Sequence, residues 1–132
     1  MEMTMTFPGG KKVDAVFKGY TVNTDQPEKA GGEGSSPAPF ELFLASLGTC
    51  SAYFVLSFCQ SRDLPTEGVG VTLSTDYDKE THKLAGVDFK ITVPPGFPEK
   101  YHTALVRAVH QCSVKKALED PPKMTTKVEV VA

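Results

Sequence analysis

The chain has 132 residues, of which 40% are apolar and 23% charged, and its formal net charge is −2. This length and composition predict one domain, spanning residues 1–132, with a modest hydrophobic core. A weakly acidic chain with scattered lysines lacks the basic surface that nucleic acid requires, so we expect no such partner. The first twelve residues carry no secretory signal pattern, which predicts a cytoplasmic protein.

The first forty residues are predicted to form strands joined by turns. Pro8-Gly9-Gly10 marks the first turn, and apolar side chains then alternate along a strand until Gly19 allows another reversal. Residues 25–39 are rich in Gly, Pro, Ser and charge, a composition typical of a loop. Because most connections are short, a loop of this length is as often functional as incidental.

A long apolar helix is predicted from about Pro39 to Arg62. Its apolar side chains point in nearly every direction around the axis, so we expect it to be enclosed on all sides. A second subunit is the simplest way to enclose it, and wrapping by the chain's own sheet is the alternative. Residues 42–61 carry no charge and have the length of a membrane span, but their hydroxyl-bearing and small residues favour a soluble core helix. We therefore expect no membrane partner.

Two alternating strands follow, one from Val69 to Tyr77 and one from Val87 to Val93, with a hairpin turn between them. A second, amphipathic helix is predicted from Glu99 to about Leu118, with Cys112 on its apolar stripe. A last strand is predicted over residues 128–130 from its alternating valines. The predicted fold class is α+β, with mixed or antiparallel sheets and two main helices, the first of them central and buried.

The three cysteines stand at positions 50, 59 and 112, without a CxxC spacing. A reducing compartment argues against a structural disulfide framework. Cys50 and Cys59 are about 900° apart on a helix and so lie on opposite faces, and the apolar neighbours of Cys59 favour a small buried hydrophobe. For Cys50 and Cys112 two interpretations stay open: core filling, or a reactive thiol, which Lys115 and Lys116 would favour at Cys112.

The histidines form no recognisable site. His102 and His110 are about 800° apart on a helix and lack a fourth ligand for zinc. No local signature of a Cys-His hydrolase accompanies these two or His82. Gly31-Gly32-Glu33-Gly34 precedes a helix but lacks the phosphate-loop pattern GxxxxGK(S/T). We expect neither a metal nor another cofactor.

Two stretches around the cysteines resemble the OsmC-like family. They are Ser36-Pro37-Ala38-Pro39-Phe40-Glu41-Leu42-Phe43-Leu44-Ala45-Ser46-Leu47-Gly48-Thr49-Cys50 and Cys112-Ser113-Val114-Lys115-Lys116-Ala117-Leu118. Their order, their separation and the intervening strands also match, so the resemblance covers essentially the whole chain. It implies the fold of that family, an intertwined homodimer with its sites at the subunit interface, and a role in the oxidative stress response.

The best-known branch of this family reduces organic hydroperoxides, and the resemblance carries its two cysteine roles to this chain. Cys50 is then the peroxidatic thiol, which attacks the peroxide and becomes a sulfenic acid. Cys112 is the resolving thiol, which condenses with it to a disulfide that a dithiol reductant restores. The alternative is a non-enzymatic protein of the same fold that binds a small apolar ligand, with the cysteines as lining.

Two positions depart from the peroxidase branch, which has a glutamate directly after the proline of the first motif and an arginine in the amino-terminal strands. Phe40 stands at the glutamate position, and no arginine precedes Arg62. Glu41 and Lys18 are candidates for supporting roles, although Glu41 lies about 100° further round the helix, where a carboxylate is also favoured structurally. The pattern Pro-x-Glu-Leu-x-Leu-Ala-x-Leu-Gly-x-Cys is more similar to the less characterised branch of the family.

Overall fold

A computed structural model describes all of the chain, Met1–Ala132. The chain divides into two compact units, Met1–Ser46 and Leu47–Ala132, and the boundary falls within the first helix. Antiparallel sheets and three α-helices make up these units. The predicted α+β class is therefore confirmed.

The amino-terminal unit contains a three-stranded antiparallel sheet in the order β1-β2-β3. Its turns use left-handed backbone at Gly10, with φ of 58°, and at Lys18 and Gly19, with φ of 49° and 80°. Such backbone suits tight hairpin turns because it matches the twist of the flanking strands. The predicted strands are confirmed, with bounds β1 (Thr4–Gly9), β2 (Lys12–Phe17) and β3 (Tyr20–Thr24). The second turn lies at Gly19 as predicted, whereas the first lies at residues 10–11, because Pro8 and Gly9 belong to β1.

The loop after β3 is folded around one buried carboxylate, which the sequence did not single out. Asp25 is 1% exposed and accepts hydrogen bonds from the backbone N–H groups of Gln26, Glu33 and Ser35 and from the Ser35 hydroxyl. The Ser35 hydroxyl contributes most to lowering the pKa of Asp25 to about 2, against the opposing effect of burial. A Cβ at Gly32 would collide with the Gln26 carbonyl, so this closure requires glycine there.

The helix α1 spans Pro39–Ser61, close to its predicted bounds. Tyr53 and Leu56 on its surface are 58% and 40% exposed, so the chain's own sheet does not enclose the helix on all sides. By length and composition α1 could cross a membrane, with a mean hydropathy of 1.8, but core helices of soluble proteins pass the same test. The stripe of α1 that is buried consists of Leu47, Ser51, Val55, Phe58 and Cys59.

The carboxy-terminal unit packs a β-hairpin and a helix against the buried stripe of α1. The hairpin consists of β4 (Gly70–Tyr77) and β5 (Leu84–Thr92), close to the predicted bounds. Asp78 organises its turn by accepting the N–H groups of Glu80 and Thr81, and these bonds lower the pKa of its carboxyl. The buried core consists of Val55, Phe58, Leu105 and Val109, with apolar side chains of both strands packed around it.

The second predicted helix is broken in two. A 3₁₀ turn leads into α2 (His102–Val109), and after a break α3 spans Ser113–Glu119. Between them Cys112 has φ of −55° and ψ of 121°, and its sulfur accepts the N–H of Lys115 at 3.4 Å. The prediction of one continuous helix was therefore wrong, because Cys112 caps the start of α3 instead of lying on an apolar stripe.

The last predicted strand is not formed. Residues 121–132 have no regular structure, and Val128 and Val130 are each 94% exposed. A strand exists only through hydrogen bonds to a neighbour, and no strand of this chain pairs with the segment. The prediction of a last strand over residues 128–130 was therefore wrong.

Candidate functional site

Cys50 and Cys112 meet in the carboxy-terminal unit although they are far apart in the sequence. Cys50 lies in the middle of α1 and is partly exposed, whereas Cys112 is fully buried at the start of α3. The Cys112 side chain lies close enough to Cys50 to lower the pKa of the Cys50 thiol as a hydrogen-bond donor. The next residue, Ser113, contacts the Cys50 sulfur through its hydroxyl. Both thiols are free. The two cysteines that the sequence motifs single out are thus close together in space.

The pKa of the Cys50 thiol lies below its ordinary value. The Cys112 thiol contributes most, and the backbone N–H groups of Val114 and Ser113 and the Ser113 hydroxyl add to its effect, while partial burial opposes it. The Ser113 hydroxyl oxygen lies 3.8 Å from the Cys50 sulfur. Donors to the sulfur favour the thiolate because they stabilise its negative charge. All of these donors are uncharged, and all come from residues 112–114.

Cys59 has a different environment. Its side chain is fully buried, and that burial raises the pKa of the thiol. A buried thiol that stays protonated is a poor nucleophile. The interpretation of Cys59 as a small buried hydrophobe agrees with this environment.

The two candidate supporting residues, Glu41 and Lys18, lie in the amino-terminal unit. The Glu41 carboxylate accepts the N–H of Ala38 at 2.9 Å. Glu41 is the third residue of α1, and Ala38 is the residue just before the helix starts. A hydrogen bond between these two positions is half of a capping box, so Glu41 stabilises the start of α1. Lys18 is exposed in the turn between β2 and β3. Roles for these two residues at the thiols stay predictions.

Ser113 and Val114 are the site residues that sequence analysis missed. Val114 acts on Cys50 through its backbone N–H, whereas Ser113 acts first through its hydroxyl and then through its backbone N–H. These N–H groups are available because the chain leaves Cys112 and begins α3. The available signal was a cysteine three residues before a run of good helix formers, Lys115 to Leu118. That arrangement is compatible with a helix start as well as with a continuous helix.

An open cavity of about 360 Å³ lies beside the segments that carry the thiols. We call it the hairpin cavity, since much of one wall comes from β5. Neither cysteine lines it, but Leu47 precedes Cys50 by about one helical turn, and Lys115 donates its backbone N–H to the Cys112 sulfur. Its lining residues are Leu47, Val87, Asp88, Phe89, Ile91, Val106, Val109, His110, Lys115 and Leu118.

The histidines are not gathered into one cluster. His102 stacks against Phe97, and His110 contacts the ammonium of Lys115 through Nδ1. No three His, Cys, Asp or Glu side chains are grouped so that they could hold a metal ion. The chemistry that the described side chains offer is therefore centred on the thiols.

Several solved structures share this fold. One, from Psychrobacter arcticus 273-4, is described as an osmotic stress induced and detoxification response protein; it is 17% identical, over 87% of this chain and 85% of its own, with a TM-score of 0.73. An OsmC like protein from Mycoplasma pneumoniae is 11% identical, over 91% and 87% of the two chains, with a TM-score of 0.69. An organic hydroperoxide resistance protein OsmC from Legionella pneumophila is 20% identical, over 89% of each chain, with a TM-score of 0.55.

At these identities the structures establish the fold alone. No functionally curated protein matches the sequence. The family model described as OsmC-like protein matches residues 32–127, which is most of the chain and includes both cysteine motifs. The chain therefore belongs to the OsmC-like protein family.

Proposed function

We propose that this chain is a thiol-dependent redox protein that reduces organic hydroperoxides or related electrophiles through Cys50 and Cys112. The observation that carries the proposal is the proximity of the two cysteines: Ser113, which follows Cys112, contacts the Cys50 sulfur, and Cys112 lowers the pKa of Cys50. The thiolate is the reactive form of cysteine, so a lowered pKa raises the reactive fraction near neutral pH. The organic hydroperoxide resistance protein from Legionella pneumophila, which has the same fold, supports this class of substrate.

In the first step the Cys50 thiolate attacks the terminal oxygen of the hydroperoxide. A sulfur–oxygen bond forms as the oxygen–oxygen bond breaks, and the electron pair of that bond leaves with the alkoxide. The alkoxide takes a proton from water and departs as an alcohol, while Cys50 is oxidised to a sulfenic acid. The donors on residues 112–114 hold the charge on sulfur before the attack.

In the second step the Cys112 thiol attacks the sulfenic sulfur of Cys50. A disulfide forms and the sulfenic oxygen leaves as water after taking the thiol proton. An external dithiol then reduces this disulfide by exchange and is itself oxidised. We place the cycle in the cytoplasm, where dithiols are kept reduced.

The neutral donors around Cys50 take the place of the charged groups that the peroxidase branch has and this chain lacks. Hydrogen bonds from uncharged donors are about half as strong as those from charged ones. We therefore expect Cys50 to react more slowly with hydroperoxides than a thiol held by a guanidinium. The same donors would serve equally for other electrophiles of similar size.

We further propose that the working form is a homodimer. Tyr53 and Leu56 leave a large apolar surface on α1 uncovered in the single chain. Large exposed apolar patches mark sites of association, and a second copy of the same chain is the simplest partner.

Stopped-flow consumption of tert-butyl hydroperoxide by fully reduced protein tests the proposed activity. Wild-type protein and Cys59→Ala, the matched thiol control, are expected to consume the hydroperoxide at similar rates. Cys50→Ser is expected to show only the background rate, because it lacks the attacking sulfur. Equal rates for wild type and Cys50→Ser would refute the activity.

Cys112→Ser separates the two steps of the cycle. Without an external reductant, wild type and Cys112→Ser should each consume one equivalent of hydroperoxide, but only wild type should end as a disulfide between Cys50 and Cys112. Intact mass spectrometry should show one added oxygen atom in Cys112→Ser and the loss of two hydrogen atoms in wild type. An added oxygen in wild type, with no disulfide, would show that Cys112 is not the resolving thiol.

The second candidate function, binding of a small apolar ligand without catalysis, is favoured by the hairpin cavity. Seven of its ten lining residues are apolar, and its volume falls in the usual range of ligand sites. Native mass spectrometry of protein from its own host would detect such a ligand. An empty cavity in every preparation would count against this function.

A further inference from the structure

We infer that the hairpin cavity binds an unbranched monocarboxylate of about ten carbons, with its chain along β5 and its carboxylate at Lys115. The inference rests on the second candidate function and gives its ligand a chemical class. It is independent of any reaction at Cys50. Three properties of the cavity support the inference: its shape, the positive charge at its rim, and the number of charges that this rim can balance.

The shape of the cavity suits a narrow, elongated apolar group. Val87, Phe89 and Ile91 occupy alternate positions of β5, so their side chains line one face of the strand. The row is about 13 Å long at the usual rise of a strand. The volume of about 360 Å³ holds roughly a dozen non-hydrogen atoms if each takes the roughly 30 Å³ of a liquid water molecule. A ten-carbon carboxylate has this size.

The charge at the rim comes from Lys115. The Lys115 ammonium has three N–H donors, and one of them contacts Nδ1 of His110. The two other donors have no carboxylate partner, since the chain's ion pair joins Lys12 and Glu33. A cation with spare donors at the edge of an apolar cavity is complementary to a ligand with an acidic head and an apolar tail.

The single ammonium at the rim sets the number of charges that the ligand carries. Asp88 borders the cavity, but it stands between Val87 and Phe89, so its side chain points to the other face of β5. A single carboxylate is balanced by Lys115, whereas a dianion would carry a second charge without a partner. His110, the other polar group at the rim, accepts a hydrogen bond from the Lys115 ammonium through Nδ1.

The experiment titrates reduced protein with decanoate and, separately, with decyltrimethylammonium, each below its micelle concentration. The two probes have the same tail and opposite charges. Amide chemical shifts measured by NMR report affinity and location together. Decanoate should bind saturably, with shifts centred on residues 87–91 and 106–118, and at least about fivefold more tightly than the cation.

Variants assign the charge preference to named residues. Lys115→Met should weaken decanoate binding about fivefold, while Lys116→Met, which removes an exposed lysine from the same helix, should change it less than about twofold. Any of three results would overturn the inference. They are equal affinity for both probes, equal effects of the two lysine variants, and the absence of saturable binding, as when a second copy fills the cavity.

Cys50→Ser separates this inference from the redox proposal. The variant lacks the proposed reactive thiol but keeps every residue that lines the cavity. Its affinity for decanoate should equal that of wild type, whatever the hydroperoxide assays give. A loss of decanoate binding in Cys50→Ser would contradict a ligand site that is independent of the thiol.

Discussion

The sulfur of Cys50 is surrounded by donors that carry no charge: the Cys112 thiol, the Ser113 hydroxyl and two backbone N–H groups. A thiolate stabilised in this way differs from one paired with a lysine or arginine. Hydrogen bonds to neutral groups are screened little by salt, whereas ion pairs at a protein surface weaken with ionic strength. The reactivity of Cys50 should therefore change little between low and high salt.

The first prediction concerns the pH at which Cys50 becomes reactive. Because its pKa is lowered, alkylation by iodoacetamide should have its half-maximal rate at a lower pH in native than in unfolded protein. Cys112→Ala removes the largest contribution and should move this pH upward, whereas Cys112→Ser keeps a hydroxyl donor and should move it less. Peptide mass spectrometry measures the rates, and buried Cys59 serves as the unreactive internal control. An unchanged midpoint in Cys112→Ala would contradict the assigned contact.

At the scale of elements, the loop between β3 and α1 depends on the ionised carboxylate of Asp25. The folded-state pKa, about 2, is below the unfolded value of 3.8. Ionised Asp25 therefore stabilises the folded protein fully above about pH 4, and this contribution is lost as the pH falls from there through 2. Acid should open this loop before it affects the hydrophobic core.

Asp25→Asn tests this role of the carboxylate. The variant should lower Tm at pH 7 by about 5 °C or more, since a neutral amide replaces the charged acceptor of four hydrogen bonds. The difference from wild type should shrink toward pH 2. Asp76→Asn, at an exposed position of β4, is the matched control and should change Tm little. Equal Tm values for wild type and Asp25→Asn at pH 7 would refute the role.

The elements with a strong sequence period could be predicted, and those that depend on a single side chain could not. The apolar density of α1 and the alternation of β4 and β5 specify their structure locally, so their bounds agree with the sequence analysis. No glycine or proline lies between Glu99 and Leu118, so nothing in the pattern announced the break. α2 ends at Val109, and the sulfur of Cys112 then caps α3, a local side-chain contact that the apolar pattern does not encode.

The candidate site shows the same division. The motifs identified Cys50 and Cys112 because their side chains carry the chemistry. Ser113 and Asp25 escaped notice because serines and aspartates are common, and the fold alone brings these two to their partners, the Cys50 sulfur and the Ser35 hydroxyl. Val114 escaped notice because it acts through its backbone N–H, which every residue except proline possesses. A sequence reveals a donor of this kind only once the local backbone is known.

At the scale of the whole molecule, burial within one chain is unevenly distributed. Across Met1–Ser46, Asp25 is the single buried residue. A three-stranded sheet is independently stable only when an apolar face is covered, and here no apolar side chain of the sheet is buried. The exposed Tyr53 and Leu56 on α1 and the unpaired valines at positions 128 and 130 add to the uncovered surface. These features together favour association, which supports the proposed homodimer.

The last prediction is that a charge in this uncovered surface weakens the dimer. Sedimentation velocity at micromolar concentration should give a dimer for wild type and for Thr72→Glu, which adds the same charge at an exposed polar position of β4, away from this face of α1. Leu56→Glu should raise the dimer dissociation constant by about 30-fold or more, since burying an unpaired carboxylate costs about 2 kcal/mol or more. Tyr53→Ala should weaken the dimer less, because it removes contact area without adding charge, and it keeps the test valid if Leu56→Glu fails to fold. Two results would show that this face of α1 is not the interface: a wild-type monomer at these concentrations, or equal dissociation constants for Leu56→Glu and Thr72→Glu.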